Sequence, residues 1–274
     1  MPSDYSAVII SVELLLILSG CYLLWKYGLT KTAREQASAA KQVFPEWEIS
    51  LTSFLLFIWM IFCGGLLGQS LLSLFINREE MSNADTLVTA GAAFHGGMLL
   101  GIILFKYFFD RLPSRHPQAS SWFRKLTLGV ITLLIVLPSL TAVGLVWQQS
   151  LEWMGVAIEQ QDLVGIFADE DSPALLILMT LLAITLAPVT EELIFRGGIF
   201  RFMRTRTPRW VALLVPALLF GALHANLASF VPLVALGIIL SLAYERTGSI
   251  VVPIVAHGLF NLHTIVLILS GVTA

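Results

Sequence analysis

The stretch "ITLAPVTEELIFRGGIF", residues 184–200, decides the fold. It has the composition of a membrane-spanning helix, except that Glu191 and Glu192 are adjacent carboxylates and Arg196 follows four residues after the second. Charged side chains are costly within the bilayer, so they usually face the interior of a helical bundle and indicate a functional site. The rest of the chain is therefore expected to supply a bundle and polar partners for these three groups.

The composition is that of an integral membrane protein. Of 274 residues, 57% are hydrophobic and 12% are charged, whereas soluble domains carry roughly 25% charged residues. The mean hydropathy is +0.85. Cys21 and Cys63 both lie in apolar runs and predict no disulfide framework. We expect the lipid bilayer as a partner, and no nucleic acid.

Apolar runs predict an all-α, polytopic transmembrane bundle of about eight spans, since about 20 apolar residues cross the hydrocarbon core. We divide the chain into an N-terminal four-helix membrane region, residues 1–150, and a catalytic core, residues 174–270, within one continuous membrane domain. Two of the spans are short, so a tight hairpin or re-entrant pair is the alternative for 210–225 and 229–245. The predicted spans are residues 7–25, 51–76, 86–109, 126–147, 174–200, 210–225, 229–245 and 250–270.

The loops of this eight-span arrangement alternate in charge. Fifteen of the sixteen basic residues fall on one side, and the segment 148–173 on the other side has six acids and no base. The positive-inside rule then places both termini outside and the arginine-rich loops in the cytoplasm. We expect the inner (plasma) membrane of a bacterium as the location.

The first span contains "ILSGC", residues 17–21, which imitates a lipoprotein cleavage box. No basic residue precedes it, and Glu13 interrupts the apolar run. These flanking residues are not those of a cleaved leader. We therefore expect a first transmembrane helix here.

Three polar clusters occur in the last 90 residues, each in a different predicted span. They are "EELIFR" at 191–196, "FGALH" ending at His224, and "HGLFN" with His257 and Asn261. Four-residue spacing places His257 and Asn261 on one helix face, and the rise of about 1.5 Å per residue gives the clusters overlapping depths.

The same spacing lets Glu192 pair with Arg196 along their own helix. Glu191 is rotated by about 100° from Glu192, so the two carboxylates cannot share one environment. We expect one carboxylate to be the partner of the arginine and the other to face a cavity.

These residues suit direct hydrolysis of a peptide bond. Burial disfavours the charged form of a carboxylate, which makes it a suitable general base near neutral pH. Glu191 can take a proton from a water that His224 holds or polarises. His257 and Asn261 can donate hydrogen bonds to the oxyanion of a tetrahedral intermediate.

The three motifs resemble those of the CPBP family, the CAAX proteases and bacteriocin-processing enzymes, which includes the type II CAAX prenyl endopeptidases. That family's pattern is EExxxR, FxxxH and HxxxN or HxxxD in this order, and the resemblance covers about residues 174–270. It implies an intramembrane endopeptidase whose site opens toward the cytoplasm and whose substrate is a peptide or protein, prenylated or bacteriocin-like. It further implies that Glu191 and His224 activate water and that His257 and Asn261 form the oxyanion site. Glu192 is also placed among the catalytic residues, and Glu192 and Arg196 would support the site.

Several of these residues also have structural explanations. The Glu192–Arg196 pair can be purely structural, and Asn261 can bond two helices together. His95 is the main competing intramembrane histidine, although Gly97 and Gly101, like Gly64 and Gly68, predict close helix packing there. His263 is read as structural, and Pro188 is expected to bend its helix and open room for water.

Other chemistries and functions remain as alternatives. Two carboxylates and two histidines can hold zinc with an open position, but HExxH is absent and asparagine is a poor zinc ligand. We therefore expect no cofactor and a glutamate mechanism, with a zinc peptidase as the alternative. A non-catalytic immunity or scaffold protein comes next, and a transporter last, because no inverted repeat is visible.

Overall fold

A computed structural model describes residues 4–33, 35, 47–76, 81–110, 121–157 and 162–271. Within these ranges the regular secondary structure is helical, without a strand. The predicted all-α, polytopic bundle is therefore confirmed. Several basic residues of the loops lie outside the described ranges, and the orientation of the termini stays a prediction.

Nine helices can be numbered in chain order across the described ranges. Wider, π-helical turns extend α1 over Trp25–Leu29 and interrupt α6 twice, and the short α5 has no counterpart among the predicted spans. The helices are α1 Asp4–Leu24, α2 Leu51–Leu72, α3 Asn83–Phe108, α4 Trp122–Trp153, α5 Asp162–Ala168, α6 Pro173–Arg204, α7 Arg209–Leu223, α8 Leu227–Thr247 and α9 Val251–Leu269.

Seven of the eight predicted spans correspond to helices long and apolar enough to cross a membrane, and the span at 210–225 corresponds to the shorter α7. At 1.5 Å per residue, α7 is only about 22 Å long. It forms a hairpin with α8, in which Arg209 at the start of α7 and Glu245 near the end of α8 are 2.7 Å apart. The start of α7 and the end of α8 therefore lie at the same depth in the bundle. The predicted alternation of loop charges then holds even if α7 does not cross the whole membrane.

Helix α6 is the centre of the bundle. Among the described residues, hydrophobic side chains form four buried clusters, and each cluster contains a residue of α6. One of these clusters joins α6 to α4, α7, α8 and α9, so the helix that carries the two carboxylates is enclosed by the others. The α6 members are Phe202, Phe195, Phe200 and Met179.

The glycines of α2 and α3 pack these helices backbone to backbone, as the small-residue spacing predicts. A Cβ added to Gly64 would lie 2.3 Å from the carbonyl oxygen of Gly97, and one added to Gly97 would lie 2.0 Å from that of Gly64. Gly68 and Gly101 meet the backbone of the opposite helix in the same way. Side chains at these positions would force the helices apart.

Helix α1 is joined to α9 by a polar contact that sequence reasoning missed. Nε2 of His263 is 2.8 Å from Oε2 of Glu13, and both side chains are partly buried. This contact supports the structural reading of His263. Glu13 bonds to another helix, because a carboxylate inside the membrane needs a donor.

Candidate active site

The carboxylates lie on an irregular part of α6. A short α-helical segment, Ala187–Glu192, separates two π-helical segments, Leu182–Leu186 and Leu193–Phe200. The wider turns are visible in the hydrogen bonds, since the Ala187 N–H donates to the carbonyl of Leu182 five residues back. Such π-helical turns are rare and often occur at functional sites. Sequence predicted a bend at Pro188, and the structure shows widened turns on both sides of it.

Helix α9 packs on the turn of α6 in which Pro188 supplies no backbone N–H to the preceding carbonyls. Proline has no N–H, so the carbonyls of Ile184 and Ala183, four and five residues earlier, receive no hydrogen bond from position 188. Nδ2 of Asn261 donates to the Ala183 carbonyl at 2.8 Å. A Cβ on Gly258 would lie 2.4 Å from the Ile184 carbonyl oxygen. Asn261 thus connects two helices, the structural alternative in the sequence analysis, and its amide has a second N–H.

Glu192 is the hub of the cluster. Its Oε1 accepts hydrogen bonds from Nη1 of Arg196 at 2.7 Å and from Nδ1 of His257 at 2.8 Å. The predicted pairing of Glu192 with Arg196 is confirmed, and both side chains are almost completely buried, with 0% and 1% exposed. Nη2 of Arg196 also donates to the carbonyl of Gly237 on α8 at 3.1 Å. Four bonded groups from three helices are thereby fixed relative to one another.

Glu191 lies on the other side of the same histidine. Its Oε2 is 3.7 Å from Nε2 of His257, and 22% of its side chain is exposed. The expectation that the two carboxylates have different environments is confirmed. An ionised carboxylate can only accept, so Nδ1 of His257 carries the hydrogen shared with Glu192. Nε2 consequently accepts when the ring is neutral and donates only when it is protonated.

His224 approaches the cluster through an aromatic ring. It follows the last residue of α7, and its Nδ1 donates to the carbonyl of Phe220 at 2.8 Å, which leaves Nε2 as an acceptor in the neutral ring. The Phe220 ring centroid lies 4.8 Å from that of His224, 5.7 Å from that of His257 and 4.9 Å from Cζ of Arg196. In the part of the chain that the structure describes, His224 has no hydrogen bond to a carboxylate.

The structure therefore brings only some of the predicted site residues into direct contact. Glu191, Glu192, Arg196 and His257 form one contiguous group. His224 is linked to this group through Phe220. Asn261 bonds to the backbone of α6, and its predicted oxyanion role stays a prediction.

The sequence analysis named one further intramembrane histidine near the site but explained its region by helix packing alone. Nδ1 of His95, on α3, is 2.6 Å from Oγ1 of Thr190, the residue before Glu191. The glycine pattern of α3 explained this region by packing against α2, but His95 is two residues from Gly97 and therefore faces another side of the helix. This two-residue spacing between His95 and Gly97 was the sequence signal that His95 contacts a helix other than α2.

The arrangement of donors does not fit a zinc centre. Among the described residues, no three His, Cys, Asp or Glu side chains are grouped as metal ligands. The buried carboxylate of Glu192 is already bonded to a guanidinium, whose charge opposes a bound cation. The cofactor-free mechanism stays a prediction.

Comparison with known proteins supports the motif resemblance. Residues 173–263 match the family described as "Type II CAAX prenyl endopeptidase Rce1-like". This segment contains Glu191, Glu192, His224 and His257, together with Arg196 and Asn261. No solved structure matches the chain.

The chain is also similar to curated proteins, and it covers less than half of the length of each. It is 37% identical to "Uncharacterized 24.3 kDa protein" of Escherichia coli over 98 residues. The matched segment is 34% of this chain and 44% of the relative. It is 34% identical over 95 residues to "Putative membrane peptidase YdiL" of Bacillus subtilis, 35% of this chain and 39% of the other. A third relative, "UPF0177 protein YbdI" of Lactococcus lactis, is 30% identical over 87 residues, 31% and 46% of the two chains.

Proposed function

We propose that this chain is a CPBP-family intramembrane protease, as the family match of residues 173–263 supports, and that it hydrolyses a peptide bond with a water activated by Glu191. One observation carries the proposal. Glu191 is a partly exposed carboxylate beside His257, while the adjacent Glu192 is fully buried and bonded to both Arg196 and that histidine. One carboxylate is thus committed to holding the site together and the other is open to react.

In the proposed reaction, Glu191 takes one proton from a water molecule as the water oxygen attacks the carbonyl carbon of the scissile bond. Nε2 of His224 accepts a hydrogen bond from the remaining water proton. When the tetrahedral intermediate collapses, the C–N bond breaks and protonated Glu191 returns its proton to the leaving amine. The products are a new amine and a new carboxylic acid that still carries the second water proton, and Glu191 is ionised again. The acid then releases this proton to bulk water and becomes a carboxylate.

The oxyanion of the intermediate needs hydrogen-bond donors. Nε2 of His257 fills this role only as an imidazolium, since Nδ1 is bonded to Glu192. The second N–H of Asn261 is the other proposed donor, with the first held by Ala183. In this scheme Glu192 and Arg196 act on the ring of His257 and not on the substrate, so both are positioning residues.

The proposed substrate is a peptide or protein segment at the membrane, either a prenylated CAAX-type C-terminus or a bacteriocin-like peptide. The name of the matching family supports the first class. We further propose a bacterial inner-membrane location, with both termini outside and the site open to the cytoplasm. The five arginines of residues 196–209 support this orientation.

Mass spectrometry of peptide termini in host membranes tests the proposed function. Wild type is compared with Glu191→Gln at matched expression, and Glu13→Gln is the control because Glu13 belongs to a separate intramembrane Glu–His pair. We expect new C-termini with wild type and Glu13→Gln, and a fall of about 10²- to 10⁴-fold with Glu191→Gln, the usual contribution of general acid–base catalysis.

The position of the cut identifies the substrate class. Loss of a short C-terminal peptide beside a modified cysteine indicates CAAX-type processing, and cuts after leader peptides indicate bacteriocin maturation. If wild type and Glu191→Gln give the same termini, the peptidase proposal is wrong and the immunity or scaffold function takes its place. Metal analysis of the purified protein, with adventitious zinc controlled for, tests the zinc alternative.

A further inference from the structure

A second polar contact holds the α-helical segment that carries Glu191. Nδ1 of His95 on α3 lies 2.6 Å from Oγ1 of Thr190 on α6, and Thr190 is fully buried. The two residues are 95 positions apart in the chain. Glu191 directly follows Thr190, so a shift of Thr190 moves the backbone of the proposed general base.

The other hydrogen bonds of Thr190 indicate which atom donates in its contact with His95. Its hydroxyl oxygen lies 3.0 Å from the carbonyl oxygen of Leu186 and 2.9 Å from that of Ala187. Carbonyls only accept, so the hydroxyl hydrogen is directed to them and the oxygen accepts from Nδ1–H of His95. The threonine therefore joins the start of the segment Ala187–Glu192 to α3.

This segment has a special need for external contacts. Pro188 removes one helical donor, and π-helical turns lie on both sides. Asn261 fixes the preceding π-helical segment at Ala183. The His95–Thr190 contact fixes the segment at its last residue before the carboxylates.

Packing alone does not account for a histidine at this position. The backbone contacts of Gly64 and Gly97 already hold α3 against α2, on another side of the helix. An apolar side chain at residue 95 would fill space next to α6 without the cost of burying a polar ring. The histidine instead forms a directed hydrogen bond to one hydroxyl.

We propose that His95 is a positioning residue of the active site, which fixes Glu191 through its hydrogen bond to Thr190. This inference rests on the proposed function of Glu191. His95 touches neither substrate nor reacting atoms in the proposed reaction. Its loss is expected to slow the chemical step and to leave substrate binding unchanged.

A set of four variants tests the inference. Thr190→Val removes the hydroxyl at nearly constant volume, Thr190→Ser keeps it, His95→Phe removes the imidazole, and the double variant removes both partners. Each is purified, reconstituted in liposomes and assayed with a quenched fluorescent peptide in which a farnesylated cysteine precedes the last three residues. Glu191→Gln is assayed in parallel.

We expect Thr190→Val and His95→Phe each to lower kcat by about 10- to 100-fold at unchanged KM, because small displacements of a reacting group have effects of this size. Thr190→Ser should retain wild-type kcat. The double variant should be no slower than the slower single variant, because both changes break the same contact. A wild-type kcat in Thr190→Val, or effects that multiply in the double variant, would overturn the inference.

Hydrogen exchange measured by mass spectrometry supplies a readout that needs no substrate. Thr190→Val and His95→Phe should raise exchange in peptides covering residues 187–192, and Thr190→Ser should not. Unchanged exchange there overturns the inference even if the farnesylated peptide is not cleaved. Conversely, if Glu191→Gln turns over the peptide at the wild-type rate, the proposed function fails, whatever the exchange data show.

Discussion

Nδ1 of His257 donates a 2.8 Å hydrogen bond to Oε1 of Glu192, the same oxygen that binds Arg196. One fully buried carboxylate therefore orients a histidine and balances the charge of a buried guanidinium. The neighbouring Glu191 meets the opposite nitrogen of the histidine at 3.7 Å and keeps part of its surface exposed. The same substitution is therefore expected to affect mainly stability at Glu192 and mainly activity at Glu191.

Glu192→Gln should destabilise the fold strongly. It leaves Arg196, of which 1% is exposed, without a counter-charge, and breaking one side of a buried ion pair typically costs about 3–5 kcal/mol. Glu191→Gln should lower hydrolysis by about 10²- to 10⁴-fold while leaving stability nearly unchanged. Thermal unfolding in one detergent compares the two, and equal Tm values for both variants would contradict this division of roles.

Gly258→Ala should separate α9 from α6. The new Cβ would lie 2.4 Å from the Ile184 carbonyl oxygen, a backbone atom that cannot rotate away. Overpacking of this kind costs about 1–3 kcal/mol, and because His257 is the adjacent residue, activity should fall as well. Gly197→Ala is the matched control, since its nearest neighbours are at 3.8 Å and beyond. A Tm of Gly258→Ala equal to that of Gly197→Ala would show that α9 does not approach α6 so closely.

The contact between Asn261 and the Ala183 carbonyl should depend on Pro188. The variant Pro188→Ala restores an N–H that can donate to the carbonyls of the preceding turn. Asn261→Leu should therefore cost less stability when it is combined with Pro188→Ala than when it is made alone. Residues that share a partner typically couple by about 0.5–3 kcal/mol. Unfolding of the two single variants and the double variant measures the coupling. Additive costs would mean that Asn261 does not replace the missing donor.

Contacts within one helix could be predicted from sequence. The pairing of Glu192 with Arg196 follows from four-residue spacing and is present at 2.7 Å. The glycines of α2 and α3 also predicted close packing correctly, because small residues on one face let the backbones of membrane helices approach each other.

Contacts between distant helices could not be predicted in this way. His257 meets Glu192 across 65 residues and His95 meets Thr190 across 95. Their formation depends on how each helix is rotated in the bundle, which spacing along one helix does not determine. The π-helical turns of α6 change that rotation further, and a proline alone does not specify them.

Gly97→Ala should loosen the packing of α2 against α3 and, by displacing α3, disturb the site. Its Cβ would lie 2.0 Å from the carbonyl oxygen of Gly64, so the helices must separate, at a cost of about 1–3 kcal/mol. Gly96→Ala is the control on the adjacent residue, where no atom lies within 4 Å and alanine favours the helix. Gly97→Ala should lower Tm and raise hydrogen exchange in residues 187–192, because α3 also carries His95. A lower Tm with unchanged exchange there would show that α3 can shift without moving Glu191.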